Sequence, residues 1–123
     1  MVRLSITLAA ALVLTLGLAA CSKPAPPAPT AEQALALAPA DARLAALYAE
    51  SCKACHAIPD TGAPLVHDRK AWDPRWKQGE TVLLDHSIQG FGAMPAGGQC
   101  AACTPSDFNA LIRFMAGRED PAT

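Results

Sequence analysis

Residues 52–56 read Cys-Lys-Ala-Cys-His, and a second Cys-x-x-Cys pair, Cys100 and Cys103, is followed by Thr104 rather than His. These pairs constrain the chain more than any other feature. They fall inside a compact segment of about 80 residues that runs from Ala40 to Glu119. A hydrophobic core that small is marginal by itself and needs a staple: a metal, a disulfide or a bound cofactor. The pairs could be two halves of one metal site, two cofactor sites, or two separate uses of cysteine.

The compartment narrows the choice. Met1–Val2–Arg3 is a short basic start, and Leu4–Leu18 is an uncharged, mostly apolar run that ends in Leu18–Ala19–Ala20–Cys21. Such an arrangement reads as a secretory signal over residues 1–20. The run is short against the roughly 20 residues of a spanning helix. "LAAC" resembles the bacterial lipobox, so Cys21 is expected to become the lipidated first residue, anchored by acyl methylenes worth about 0.8 kcal/mol each. Export to the bacterial periplasm permits disulfides. Losing Arg3 with the leader takes the formal net charge from −1 to about −2. That balance, without any basic run, excludes a nucleic-acid partner.

Residues 21–39 read as a Pro/Ala-rich tether, since "KPAPPAP" favours extended polyproline II. "TAEQALALAP" offers a helical turn or two, broken near Pro39. The folded domain is then expected over residues 40–119. Asp41–Ser51 reads as a helix with Leu44, Leu47 and Tyr48 on one face, running straight into Cys52. Three prolines and a glycine make residues 57–74 mostly loop. Glu80–Gln89 reads as a helix bounded by Gly79 and Gly90. The Gly-rich stretch 91–102 cannot be regular. Thr104, Pro105 and Asp107 then form an N-terminal helix signature. Phe108, Leu111, Ile112 and Met115 continue it as one apolar stripe, stopped by Gly117. The fold class is all-α, with three to four helices and no strand.

Cys-x-x-Cys-His is the attachment signal for c-type haem. Cys52 and Cys55 can each bond one vinyl group, and His56 then projects its ring toward the iron. A second axial ligand is expected if the haem only passes electrons. Met94 lies in "FGAMPAGG", where no helix gives a methionine a core to pack on, and Pro95 stiffens that loop. A thioether suits low-spin iron, and Met/His ligation raises the reduction potential. Met115 reads as core. His67 lies too close after the first pair to reach the other face easily, and His86 reads as a solvent-facing or satisfied mid-helix residue. The second pair cannot hold another haem, because Thr104 stands where a His is required.

With these residues in view, the chain resembles the class I monohaem c-type cytochromes, and most narrowly the bacterial cytochrome c-five family. The resemblance covers roughly Ala45–Ala116 and rests on "YAESCKACH", "GAPL", "AWDPRWKQG" and "GAMPAGGQCAACT". It implies helices wrapped around one haem, the first and last crossing near it. By position it implies thioethers at Cys52 and Cys55 and axial ligands His56 and Met94. It implies a His56 ring N–H donated to the Pro64 carbonyl, which orients the ring and raises its basicity. Trp72 is expected near a propionate, offering its indole N–H, or as a core residue. Arg75 is a candidate propionate partner, with plain solvation as the alternative. Cysteines at i and i+3 can reach disulfide separation. The resemblance implies that bridge for Cys100 and Cys103, as a staple on the ligand loop.

The expected function is one-electron transfer in the periplasm without catalysis, through one covalent haem c, between periplasmic or membrane redox proteins. The lipid on Cys21 would hold the carrier at a membrane, and its small acidic charge would act on docking rate more than affinity. Three other readings stand beside this one. The first is a four-thiolate zinc site built from both pairs. The second is a catalytic or gas-sensing haem that releases Met94. The third is a thiol-redox role for Cys100 and Cys103.

Overall fold

The structure is a computed structural model and describes residues 24–119. The expected signal at residues 1–20 and the lipidation site Cys21 lie outside the described residues. Among the described residues six α-helices occur in order: α1 (Ala31–Ala36), α2 (Ala42–Leu47), α3 (Lys53–His56), α4 (Arg69–Trp76), α5 (Glu80–Gln89) and α6 (Pro105–Met115). Among the described residues there is no strand. An isolated bridge joins Phe91 and Met94. The small all-α class is the one expected, while the described residues hold more helices than the three to four expected, several of them only a turn or two long. No helix among the described residues is long and apolar enough to cross a membrane.

Local chemistry explains where the helices start and stop. Thr104 caps α6: its hydroxyl accepts from the Asp107 N–H, while the Asp107 carboxylate accepts from the Thr104 N–H, with Pro105 in the first turn. Asp41 caps α2 by accepting from the Leu44 N–H. Gly79 and Gly90 flank α5 at φ 95° and 88°, conformations that cost a side-chain-bearing residue dearly.

The first helix of the domain runs into the motif without a break, but through a wider turn. Tyr48–Cys52 forms a π turn, in which the Lys53 N–H donates to the Tyr48 carbonyl. That turn shifts the helical phase at which α3 presents Cys55 and His56. Such bulges recur at functional sites.

Two expectations need correction. The sequence predicts mostly loop over residues 57–74, yet α4 occupies Arg69–Trp76 with Pro74 inside it. A proline in a helix interior costs about 3 kcal/mol. Three features offset it. Asp68 accepts from both the Lys70 and Ala71 N–H groups, Arg69 pairs with Asp73 at 2.8 Å, and Trp72 is buried in the core. The carbonyl that Pro74 leaves without a helical donor belongs to exposed Lys70, where water can serve it. The second correction concerns the tether. Ala34 of α1 is 0% exposed and belongs to the core, and Pro39 is buried as well. Packing therefore begins before Ala40. Thr30 and Gln33 complete a capping box that makes this short helix viable.

The core sits where α2 and the π turn meet α6. Tyr48 and Phe114 pack edge to face with ring centroids 5.0 Å apart. Leu111, Ile112 and Met115 are buried beside them. Arg43 and Asp107 tie the N-terminal ends of α2 and α6 in a two-point ion pair, one arm measuring 3.0 Å. Arg113 ties α6 to Glu80 of α5 at 2.7 Å.

Candidate haem site

Cys52, Cys55, His56 and Met94 line one cavity of about 310 Å³, open on one side. Phe108, Leu111, Ile112 and Met115 of α6 contribute to its wall. A mostly apolar pocket of this size with a few convergent polar groups is the usual form of a cofactor site.

Cys52 and Cys55 are free thiols, bonded neither to each other nor to the second pair. Cys55 is exposed and Cys52 half-buried. Burial, then the neighbouring Cys55, pushes the Cys52 thiol up to about 11.

His56 is buried, and its Nδ1 lies 2.9 Å from the Pro64 carbonyl oxygen. A carbonyl can only accept, so Nδ1 carries the proton and Nε2 keeps its lone pair. Burial holds the His56 pKa below the ordinary imidazole value. The Pro64 bond opposes this, and the Arg75 charge adds to it. The ring is therefore held neutral, the form a metal requires.

Met94 is presented by a closed reverse turn. The Phe91 N–H donates to the Met94 carbonyl at 3.0 Å, and the Met94 N–H donates to the Phe91 carbonyl at 2.9 Å. Gly92 supplies φ +59° inside the turn. Gly90 packs so tightly that a Cβ there would stand 3.0 Å from the Met94 carbonyl oxygen and from the Ala96 nitrogen. Further along the chain, Cys100 and Cys103 form a disulfide with their Cα atoms 5.4 Å apart. The two cysteine pairs therefore do not converge. No cluster of three or more His, Cys, Asp or Glu side chains among the described residues is placed to hold a metal ion, which removes the four-thiolate zinc reading.

The comparisons with known proteins agree with this geometry. A family model described as cytochrome c oxidase, cbb3-type, subunit III, matches residues 39–115. Cytochrome c-555 of Chlorobaculum tepidum is 39% identical over 77 residues, covering 59% of this chain and 71% of that protein. Cytochrome c5 of Azotobacter vinelandii is 41% identical over 73 residues, covering 58% of this chain and 88% of that protein. The chain belongs to the monohaem class I c-type cytochromes. A solved structure described as an electron transfer complex of nitrite reductase with cytochrome c contains a chain similar to this cytochrome. It shows 33% identity and a TM-score of 0.56, and the match covers 63% of this chain and 95% of that one.

The cofactor of this cytochrome is a covalent c-type haem, and the residues fit it. Two separate thiols sit three residues apart beside a neutral imidazole whose Nδ1 is already engaged. Gly98, at φ +53°, leaves open a space that a Cβ would crowd, 3.3 Å from the Met94 Cε. The Gly-rich run 97–98 is legible in the sequence only as loop, and its role beside Met94 emerges from the packing.

Trp72 takes the second of its two expected places: it is buried in the core, and its indole N–H donates to the Leu65 carbonyl at 2.8 Å. Leu65 closes the loop that carries Pro64, so the indole braces the same loop that orients His56. The ring still lines the cavity and lies 5.9 Å from the His56 ring, tilted by 30°. Arg75 is half-buried at the cavity wall and donates to the Ala71 carbonyl at 2.6 Å. His67 lies away from the cavity, against Phe114 at 5.3 Å. His86 differs from expectation: it lines the cavity and stacks on Phe91. Neither Phe91 nor His86 carries a sequence signal for the site, because they meet only after the chain turns at Gly90.

Proposed function

We propose that this cytochrome is a one-electron carrier of the bacterial periplasm, with His56 and Met94 as axial ligands and no catalysis of its own. The observation that carries the reading is the closed Phe91–Met94 turn, which sets a thioether on the wall of the cavity that also holds Cys52, Cys55 and His56. Bound haem supplies a reversible Fe(II)/Fe(III) couple. The protein's part is to hold both ligands still, so that little rearrangement accompanies electron transfer. His56 is kept neutral and aimed by Pro64, while the apolar α6 wall excludes water and Arg75 offers a positive charge at the cavity wall.

The domain organisation proposed is a signal over residues 1–20, a lipidated Cys21, a short tether, and a cytochrome domain whose packing begins at α1. The lipid would hold the carrier at a membrane and confine its search for partners. Those partners are periplasmic or membrane redox enzymes. The nitrite reductase bound by the similar cytochrome is one kind, and a membrane oxidase is another.

The ligand assignment is tested by the far-red methionine–iron band of the oxidised protein. Wild type should show it and Met94→Ala should lose it while keeping sharp c-type bands when reduced. A Met94→Ala protein that retains the band refutes the assignment. Cys21→Ser should move the protein from the membrane to the soluble fraction, and unchanged fractionation refutes the anchor.

A further inference from the structure

Phe91 is a large apolar side chain at 59% exposure, so burial does not explain its place. Its partner is His86 of α5. The two rings stack with centroids 4.0 Å apart and planes 21° apart, and both line the cavity. Phe91 is also one half of the reciprocal backbone pair with Met94. A mechanical path therefore runs from α5 through the His86 ring to the Phe91 ring, and from the Phe91 backbone to the Met94 backbone. Gly90 is the joint between helix and turn: it stands at φ +88°, where no side chain of its own restrains it, and only its backbone packing and this ring path hold it.

We propose that His86 is a positioning residue for the Met94 thioether, acting as a strut through its stack on Phe91. The strut opposes outward swing of the turn about Gly90 and so keeps competing ligands off the iron. The proposal rests on the reading of Met94 as an axial ligand. It assigns His86 a structural contact across the cavity mouth and no direct contact with the iron. Ring stacking of this kind is worth enough to change an opening equilibrium about twofold to tenfold.

The test is cyanide titration of the oxidised holoprotein, since cyanide binds only when Met94 leaves. His86→Ala should bind cyanide about twofold to tenfold more tightly than wild type, and Phe91→Ala should match it. The double variant should be no tighter than either single one, the mark of two residues acting as a unit. His86→Phe, which preserves a stack, should return toward wild type. Gln89→Ala, exposed on the same helix, should not differ from wild type. Three results overturn the strut: wild-type cyanide affinity in His86→Ala, no recovery in His86→Phe, or effects that multiply in the double variant. Met94→Ala separates the two readings. If it tightens cyanide binding while His86→Ala does not, only the strut falls. If Met94→Ala changes nothing, the ligation reading has failed and the strut falls with it.

Discussion

The two halves of the haem site are built on different principles. The His56 half is part of the core. His56 is buried on α3, its ring is held by Pro64, and the Pro64 loop is braced by the Trp72 indole from α4. The Met94 half is a surface turn. It is closed by two backbone hydrogen bonds and packed at Gly90, beside an exposed ring stack, and the Cys100–Cys103 disulfide follows it in the chain. The contrast predicts that the second half opens locally while the α2–α6 crossing stays intact. Stability within one domain is often partitioned in this way, with ligand loops drawn from the less stable end.

The sharpest attempt to break this contrast removes the centre of the core. Phe114 is 2% exposed and packs against Tyr48 and His67, so Phe114→Ala should cost about 3–5 kcal/mol in chemical denaturation. Loss of the methionine–iron band and loss of helical signal should then coincide, because the whole domain melts at once. A helical midpoint that does not move would show that Phe114 is not the centre of the core.

Gly90→Ala attacks the other half. The positive φ alone costs of order 1–3 kcal/mol, and the added Cβ meets two backbone atoms at 3.0 Å. The band should weaken or vanish in water while the melting curve of the helices moves less than in Phe114→Ala. Replacing both Cys100 and Cys103 by Ala should be milder. The ring closed by residues 100–103 is short, so the entropic loss is about 2 kcal/mol at most. Its signature should be a band midpoint in denaturant that falls further than the helical midpoint. Equal shifts would show that the bridge supports the domain as a whole.

The smallest effect expected is a pH dependence confined to the core half. The Arg43 guanidinium, then Thr104, holds the Asp107 carboxyl well below the usual carboxylate range. A depressed folded-state pKa contributes stability above the ordinary carboxylate value and loses it as pH falls through the folded value. Asp107→Asn should therefore lower the melting temperature near neutrality. Its gap from wild type should narrow as the pH drops below the ordinary range. Methionine ligation at neutral pH should be unchanged, since Asp107 ties α2 to α6 and does not line the cavity. A constant gap across the acid range would show that the carboxylate charge is not what matters.

Features legible in the sequence share one property: their physics acts within a few residues. The Thr104–Asp107 box, the flanking glycines of α5, the attachment motif and a methionine stranded in a Gly/Pro loop are all local statements. The features that the sequence hides are long-range. Residues 69–76 resemble loop because Pro74 outweighs the Asp68 cap and the Arg69–Asp73 pair, which matter once Trp72 has a core to enter. The Trp72 indole finds the Leu65 carbonyl because the loop it braces brings that carbonyl to 2.8 Å. Ala34 resembles tether because alanine carries no signal of burial.

The sequence by itself determined the covalent haem chemistry, the all-α class, the ends of α5 and the start of α6, since covalent bonds, caps and positive-φ glycines depend on neighbours in the chain. Only the tertiary structure decided what surrounds His56 and Met94. Arg43 meets Asp107 across 64 positions, and His86 meets Phe91 only after Gly90 has turned the chain back. The first contact depends on how the helices pack, which is a property of the whole domain, and the second on how the backbone turns at Gly90.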